Sequence, residues 1–377
     1  MNRLKKMSAL ALAGAALAGP ALAQSGVTLA GRIDVGLQYI DDSVTKFKRV
    51  DSGTYTASRL IFRGTEDLGD GLRAGFYLEH RFNADVGAQQ SAAKLWNAGA
   101  QVSLSSTSWG SVTLGRQYVP IFWSFLFADD TGPLRLHTYS AVQTVQRSAF
   151  ARVTAAASPV KATGSLDSIA GGNYQLSITS AFEDNLIVYK TPVFGGVTAM
   201  FAAGASEGSP AGNGRVLGGN VEYRGGPFYG SVAYNQKRGS LPAGGGTAQT
   251  VTEAVASGMY NITPQLKLWG NFHPWKLDTP ATASFKGRDW MLGVSYLFPQ
   301  SMVWVNYASK NLNDCVSCNS KGGGIGYHYF LSKRTELYTS FAQVNNGNNA
   351  ATTLNGFGPS AAGKNVRGLA AGIAHTF

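Results

Sequence analysis

The sequence predicts an all-β protein, a transmembrane barrel of about sixteen antiparallel strands with one long loop folded into its interior. Apolar and polar residues alternate with a period of two in segment after segment, which is typical of β-strands. Short turns between these segments alternate with longer polar loops. The segments are about ten residues long, which matches the tilted crossing of a bilayer by a strand.

The first residues have the pattern of an export signal. Three basic residues precede a short apolar run, and Ala21-Leu22-Ala23 has the small residues of a cleavage site. The apolar run is too short to cross a bilayer as a helix. We therefore expect residues 1–23 to be a removed signal peptide and residues 24–377 to form a single barrel domain.

The chain is basic, with a formal net charge of +11 that falls to +8 without the three basic residues of the signal. Such a charge suits nucleic acid, an anionic membrane surface or anionic solutes. The basic residues are scattered singly along the strands, and the chain is exported. We therefore expect small anionic or neutral solutes as partners, and no nucleic acid.

The segment 58–81 shows the strand pattern most clearly. Each of its halves alternates an apolar with a polar face, and the Asp- and Gly-rich stretch 66–71 between them predicts a tight reversal. Its polar face carries Arg59, Arg63 and Arg81. A strand that is wet on one face suits either a soluble sandwich or a barrel in lipid, and the alternation of turns and loops along the rest of the chain favours the barrel.

The other strands follow in order. Residues 27–39 form a first strand with Arg32 on its polar face, and strands at 97–104 and 111–118 follow the hairpin. From residue 184 to the C-terminus, further alternating segments complete the predicted count. Aromatic residues often stand at the ends of the apolar faces, where the membrane–water interface favours them.

The segment 119–183 interrupts this succession of alternating strands, short turns and longer loops. A loop of this length inside a compact fold is normally functional or disordered. In a wide barrel it can fold inward and narrow the lumen, and it carries the carboxylates Asp129, Asp130 and Glu183.

Five stretches resemble the general porins of β-proteobacterial outer membranes: SRLIFRGTEDLGDGLRAGFYLE, TLGRQYVPIF, DNLIVYKTPVFGGVTAMFA, YFLSKRTELYTSFAQVNNG and GIAHTF. The resemblance spans essentially the whole mature chain, with its motifs in the expected order. It implies a sixteen-stranded homotrimeric barrel in the outer membrane of a Gram-negative bacterium, whose third long loop, within 119–183, forms a constriction. It also implies contact with outer-membrane lipid, lipopolysaccharide and the barrel-assembly machinery.

A diffusion channel needs no reacting group, because lumen width and lumen charge set its selectivity. Arg32, Arg59 and Arg63 share the polar faces of neighbouring strands and are predicted to form a positive ladder on the inner wall. Arg81 is expected nearer the outer rim. Arginine suits this role because it stays charged and pairs readily with carboxylate or phosphate.

Asp129, Asp130 and Glu183 from the long loop are predicted to face this ladder and to set a transverse field. The alternative is that the arginines only pair with Asp34 and Glu79 on the same wall and never meet a solute. In place of the arginine that the family carries shortly before its DN strand, this chain has Ala181-Phe182-Glu183. Its constriction charges are therefore expected to differ.

The expected function is passive diffusion of small hydrophilic solutes and ions, with a preference for anions. Two alternatives stay open: a substrate-selective channel for phosphate or small carboxylates, and a structural or adhesive barrel plugged by 119–183. The five histidines are dispersed without metal-ligand spacing, and no reacting constellation can be named. No enzymatic activity, cofactor or metal is expected.

Two features near the C-terminus complete the predictions. Cys315 and Cys318 lie in a polar, Gly-rich loop, where an oxidised staple is favoured over a redox or metal-binding pair in an exported protein. The last alternating segment ends on Phe377, which resembles the signal read by the barrel-assembly machinery. An ordinary interface aromatic is the compatible alternative for Phe377.

Overall fold

The structure is a computed structural model that describes residues 26–126, 181–205, 215–240, 248–278, 284–313, 316–350, 352 and 361–377. The predicted signal peptide, most of the long segment with Asp129 and Asp130, and Cys315 lie outside the described residues.

The described residues form eighteen strands and one short helix. The strands are β1 Gly26–Asp41, β2 Lys46–Ser52, β3 Ser58–Gly69, β4 Leu72–Asn83, β5 Ala88–Gln89, β6 Gly99–Ser106, β7 Gly110–Tyr118, β8 Phe182–Lys190, β9 Val197–Gly204, β10 Val216–Gly225, β11 Phe228–Ser240, β12 Ala248–Asn261, β13 Leu266–Asp278, β14 Phe285–Leu297, β15 Ser301–Leu312, β16 Ser320–Phe330, β17 Thr335–Asn346 and β18 Val366–Thr376. The helix, α1, is Pro120–Leu126 and follows β7.

The strands form one antiparallel sheet that closes on itself, because β1 pairs with β18. Sixteen strands make up the wall, which confirms the predicted fold class. The remaining two are short additions: β2 pairs with the second half of β1, and β5 pairs with the end of β4. Closure leaves the wall without an open strand edge.

The connections between strands differ at the two ends of the barrel. Turns of two to six residues join β3 to β4, β6 to β7, β8 to β9, β10 to β11, β12 to β13, β14 to β15 and β16 to β17. The longer connections all lie at the other end, as the sequence predicts. In the first short turn, Asp70 and Gly71 have φ of 50° and 76°, which Asp and Gly tolerate. Short turns mark the periplasmic end of such a barrel and long loops the extracellular end.

The two faces of the wall differ in chemistry. In β1, Val27, Leu29 and Leu37 point outward and are 71%, 55% and 64% exposed, whereas Arg32 and Asp34 point inward and are buried. An apolar outer face and a polar enclosed face are the reverse of a soluble protein, and they suit a barrel surrounded by hydrocarbon. Within the described part of the chain, no helix is both long and apolar enough to span a membrane.

The predicted disulfide is described at one of its two cysteines. Cys318 is buried and is not a free thiol. Its predicted partner, Cys315, lies outside the described residues, so the pairing of these two cysteines stays a prediction.

The C-terminal residue lies at the seam where the barrel closes. Phe377 and Gly31 exchange two backbone hydrogen bonds of 3.0 Å. The Phe377 ring covers Gly31, since a Cβ atom on this glycine would lie 2.5 Å from Cζ of the ring. The aromatic C-terminus therefore contributes to the closure contact itself.

We expect deletion of Phe377 to lower the yield of assembled barrel and to leave the conductance of each assembled barrel unchanged. The reason is that the residue pairs at the seam and does not line the lumen. The yield is measured from the fraction that migrates as the folded, heat-modifiable form on a gel.

Phe298→Ala is the matched control, because Phe298 is an aromatic residue on a short turn with a similar exposure, 45% against 39% for Phe377. A normal yield after deletion of Phe377, or an equal loss in the control, would contradict an assembly role.

Candidate functional site on the inner wall of the barrel

Three of the four predicted arginines lie in one row across neighbouring strands. Arg32 of β1 is directly opposite Arg59 of β3, and Arg59 is directly opposite Arg81 of β4. All three share the inner face. The expectation that Arg81 lies nearer the outer rim is wrong. Arg81 is directly opposite Arg59, so the two arginines lie at the same distance from the short turn that joins β3 to β4.

The carboxylate of Glu79 holds two of these arginines. Arg59 Nη1 lies 3.3 Å and Arg81 Nε 3.0 Å from Glu79 Oε1. The hydroxyls of Tyr77 and Tyr118 donate to Glu79 Oε2 at 2.6 and 3.3 Å. Glu79 is fully buried, and a buried carboxylate needs such partners to stay charged at tolerable cost.

Both arginines have further partners. Arg59 Nε donates to the carbonyl of Ala57 at 3.1 Å, and Nη2 donates to Thr56 at 2.9 Å. Arg81 Nη2 donates to Tyr118 at 2.7 Å, and its guanidinium lies 4.6 Å from the centre of the Phe182 ring. The position of Arg59 is thus fixed by Glu79, Ala57 and Thr56. Arg81 is held by Glu79, Tyr118 and the Phe182 ring.

Arg32 is held by a second carboxylate. Its guanidinium pairs with Glu336 of β17, and both side chains are buried. Glu336 also accepts from His328 Nδ1 at 3.0 Å. The other ring nitrogen of His328 accepts from Trp304 at 3.3 Å, which assigns the proton to Nδ1. A chain of three side chains, Glu336, His328 and Trp304, therefore fixes Arg32 from the far side of the seam.

The pairing alternative from the sequence is half right. Glu79 is the partner of Arg59 and Arg81, as that alternative states. Asp34 is not the partner of Arg32: it accepts instead from the Tyr338 hydroxyl at 2.7 Å and from the Thr56 backbone N–H at 2.9 Å. The row of three arginines is thus accompanied by an equal number of carboxyl groups, those of Asp34, Glu79 and Glu336.

Arg63 differs from the arginines of the row. It lies on the same inner face of β3, four residues closer to the short turn, and it is only half buried. Thr28 and Tyr77 are its cross-strand neighbours. Among the described residues it has no ion pair, so its positive charge is not balanced by the wall.

The segment between β2 and β3 also lies against the inner wall, and its residues 53–57 are all buried. The Tyr55 ring lies 4.5 Å from His328 and 5.1 Å from Tyr338, measured between ring centres. The Arg32 guanidinium is 5.2 Å from the same ring. This segment therefore covers Arg32 on its lumen side.

The start of the long segment enters the barrel. Helix α1 packs against the inner faces of β9 to β12, and Ser124 is its polar anchor. The Ser124 hydroxyl lies 2.6 Å from that of Ser231 and accepts from Asn220 at 3.1 Å, and Ser257 donates to its carbonyl. The first and last parts of the long segment 119–183 meet at the wall, because the Val119 N–H donates to the Ala181 carbonyl at 3.1 Å.

Helix α1 sits on an apolar patch of the inner wall, made by Leu186, Val188, Met200, Ala202, Val216, Ala233 and Val255. Val119, Ile121 and Phe122 bury themselves against it. Removing these apolar side chains from water stabilises the inward course of the chain. Sequence alternation alone does not mark this patch, because its residues occupy inner positions that elsewhere are polar.

Glu183 lies at the other end of the long segment. Its carboxylate is 2.7 Å from Nζ of Lys237 on β11, and both side chains are largely buried. The structure thus supplies a partner for Glu183 that the sequence did not reveal. Whether Asp129 and Asp130 face the arginines stays a prediction, because both lie outside the described residues.

The wall opposite the arginine row carries acidic side chains. Along the wall, β12 is eight strands from β3, halfway around the barrel. His273 of β13 lies 3.3 Å from Glu253 of β12 and 3.3 Å from Asp289 of β14. Glu253 and Arg59 both lie eight to ten residues from the short-turn end of their strands, so the two groups stand at a similar height.

A closed barrel wall in a membrane, with paired charges on the face that surrounds its interior, is the architecture of a channel protein. Among the residues that the structure describes, no group of three or more His, Cys, Asp or Glu is arranged to hold a metal ion.

Comparison with known proteins gives the same class. Residues 8–349 match the Gram-negative porin family. The chain is 33% identical over 390 residues to the outer membrane porin protein 32 of Delftia acidovorans, covering 99% of this chain and 100% of that protein. It is 26% identical to an outer membrane porin protein of Bordetella pertussis, over 89% of this chain and 93% of that one.

Solved structures similar to this chain include the following two. The anion-selective porin from Comamonas acidovorans has a TM-score of 0.75 and 28% identity, over 94% of this chain and 100% of that one. The trimer form of OmpT from Vibrio cholerae has a TM-score of 0.64 and 12% identity, over 94% and 99%, and it shares the fold alone.

The chain belongs to the Gram-negative porin family. It is an outer-membrane porin and a channel, not an enzyme.

The geometry around Glu79 yields a stability prediction. Glu79→Gln leaves Arg59 and Arg81 buried beside a neutral group, so we expect the free energy of unfolding to fall by about 3–5 kcal/mol. The measurement is equilibrium unfolding in guanidinium of the protein folded into lipid vesicles.

Asp67→Asn on the same hairpin is the control. Its ion pair with Arg73 is 3.7 Å long and more than half exposed, so its loss is expected to cost less than about 1 kcal/mol. Equal effects of the two substitutions would show that burial of Glu79 does not matter.

Proposed function

We propose that this porin is a general diffusion channel for small hydrophilic solutes and ions, that it prefers anions, and that Arg63 carries that preference. The observation that supports this is the charge balance of the inner wall. The arginine row is matched by nearby carboxyl groups, whereas Arg63 is half buried and has no ion pair among the described residues.

Arg32 and Arg59 act in this proposal as part of the wall. They are 2% and 4% exposed, so a passing solute does not touch them. Arg81 is intermediate, with 11% of its side chain exposed. The predicted ladder is thereby reduced to its lower member, Arg63, and to the accessible edge of Arg81.

The similar anion-selective porin from Comamonas acidovorans supports the proposed selectivity. A transverse field, in which positive and negative sides of the lumen orient a solute, is part of the same proposal. Glu253 and Asp289 on the opposite wall are buried and held by His273, so they belong to the wall in the same way as Arg32 and Arg59. A contribution of Asp129 and Asp130 to the negative side belongs to the same proposal.

We further propose that the chain assembles as a homotrimer in contact with outer-membrane lipid and lipopolysaccharide. The trimer form of the similar OmpT from Vibrio cholerae supports this state. The seam contact of Phe377 supports a role for this residue in recognition by the barrel-assembly machinery. The removal of residues 1–23 as a signal peptide is part of the proposal as well.

Arg63→Gln tests the proposed selectivity. Two charges about 7 Å apart in water interact by about 0.6 kcal/mol, so Arg63 favours an anion over a cation by about 1.2 kcal/mol. We expect the anion-to-cation permeability ratio to fall about eightfold when it is lost. The measurement is the reversal potential of single channels in a KCl gradient across a planar bilayer.

Lys48→Gln is the matched control, because Lys48 is an exposed cation opposite Tyr39 on the outer face and its loss changes the net charge equally. An unchanged reversal potential in Arg63→Gln, or the same shift in Lys48→Gln, would overturn the assignment. A current that saturates with phosphate or a small carboxylate would favour the substrate-selective channel, and a silent membrane would favour a plugged barrel.

A further inference from the structure

A block of hydroxyl side chains lies on the inner wall, next to the short turn that joins β6 to β7. The two inner positions nearest this turn on each strand carry Ser103, Ser105, Ser111 and Thr113. Ser103 is directly opposite Thr113, and Ser105 is directly opposite Ser111. Leu104 and Leu114, which alternate with them, are 42% and 46% exposed on the outer face. The hydroxyl block therefore faces the lumen at its short-turn end.

The hydroxyl block is open to the lumen and has few partners in the protein. All four of its residues are half-buried. The hydroxyls of Ser103, Ser111 and Thr113 make no hydrogen bond among the described residues. The Ser105 hydroxyl donates only to the Arg73 carbonyl, at 3.5 Å, which is a long hydrogen bond. The block therefore offers donors that the wall itself does not use.

A lysine lies at the edge of the hydroxyl block. Lys190 continues the inner positions of β8 after Leu186 and Val188, and it is directly opposite Ser111. It is exposed, and it has no ion pair with any residue that the structure describes. Its ammonium is a point charge with three donors on a flexible stem. The lysine thus adds a positive charge, without a carboxylate partner, to the hydroxyl donors.

The neighbouring charges along the wall leave this group intact. Arg73 of β4 is directly opposite Ser105, but it lies 3.7 Å from Asp67 of β3 and is not counted in the group for that reason. Asp67 is two strands from Ser105, and Glu222 of β10 is two strands beyond Lys190. These carboxylates therefore flank the group at a distance and do not occupy it.

The spacing of the hydroxyl block suits an oxyanion. Directly opposite residues lie about 5 Å apart, and successive inner residues of one strand lie about 7 Å apart. A point above the middle of this rectangle is about 4 Å from each corner. A carboxylate or phosphate at that point can accept hydrogen bonds of about 2.7 Å from several hydroxyls through different oxygens.

We propose that the hydroxyl block and Lys190 form a subsite for a carboxylate or phosphate group of a solute. The subsite rests on the proposed anion-preferring channel. Arg63 is linked through Tyr77 to Gln101 in the register, one inner position further from the short turn than Ser103. An anion that passes Arg63 therefore reaches the hydroxyl block next. Because the subsite is open to water, it holds an oxyanion weakly and general diffusion continues.

The chemistry of the subsite distinguishes between classes of solute. An inorganic cation is repelled by Lys190 and finds no carboxylate in the hydroxyl block. A neutral sugar can bond to the hydroxyls but gains nothing from the charge of the lysine. An oxyanion uses both parts at once, since charge-assisted hydrogen bonds are stronger than neutral ones.

Two variants of the mature, full-length porin separate the two parts of the subsite. Lys190→Gln removes the charge and keeps the hydroxyls. Ser111→Ala with Thr113→Val removes two hydroxyls with little change of shape and keeps the charge. The matched control is Lys267→Gln: Lys267 takes an inner position at the same end of β13, and Ser295 opposite it is buried.

The measurement is the concentration of inorganic phosphate at which its block of the single-channel chloride current is half-maximal. One cation about 4 Å from an anion in water contributes about fivefold in affinity, so Lys190→Gln is expected to raise this concentration about fivefold. Loss of two hydrogen bonds is expected to raise it about tenfold. Lys267 is five strands from Lys190, beyond a Debye length, so we expect less than about a twofold change in the control.

Three results would overturn the subsite: an unchanged half-blocking concentration in either test variant, an equal shift in Lys267→Gln, and no block by phosphate of an anion-selective wild type. A wild-type reversal potential that does not favour anions would overturn the proposed channel preference instead, so the two failures are distinguishable. An open conductance in phosphate-free KCl verifies that each variant has folded.

Discussion

The structure depends on the requirement that, inside hydrocarbon, every backbone N–H and C=O finds a partner within the protein. Pairing of β1 with β18 meets this requirement, and it turns one face of every wall strand toward an enclosed interior. Charged side chains on that face then share a space in which an unpaired charge is costly. The ion pairs of the inner wall are a consequence of closure.

Pairing in turn decides which charges can act on a solute. Glu79 and Glu336 hold the arginine row so firmly that its members serve chiefly as structure. Arg63 stands outside these networks and has no ion pair among the described residues, so its field can act on a solute in the lumen.

Alternation was sufficient to predict the hairpin of β3 and β4, the strand number and the two kinds of connection, because each depends on local periodicity. The ion-pair partners of the arginines were harder to predict from the sequence. Arg32 pairs with Glu336, 304 residues away, and only closure and register bring the two together. The pairing of Glu183 with Lys237 likewise depends on how β8 meets the interior, and the apolar patch beneath α1 breaks the inner-polar rule that the sequence suggested.

The most direct test of this account is the anomalous diffraction of bromide in crystals of the porin grown in a bromide salt. Bromide marks where an anion meets the wall. We expect bromide next to Arg63, with weaker occupancy at the edge of Arg81 and none at Arg32 or Arg59, which their carboxylates and burial protect. Bromide bound at Arg32 or Arg59 with none at Arg63 would contradict the account, because the paired row would then be the anion path.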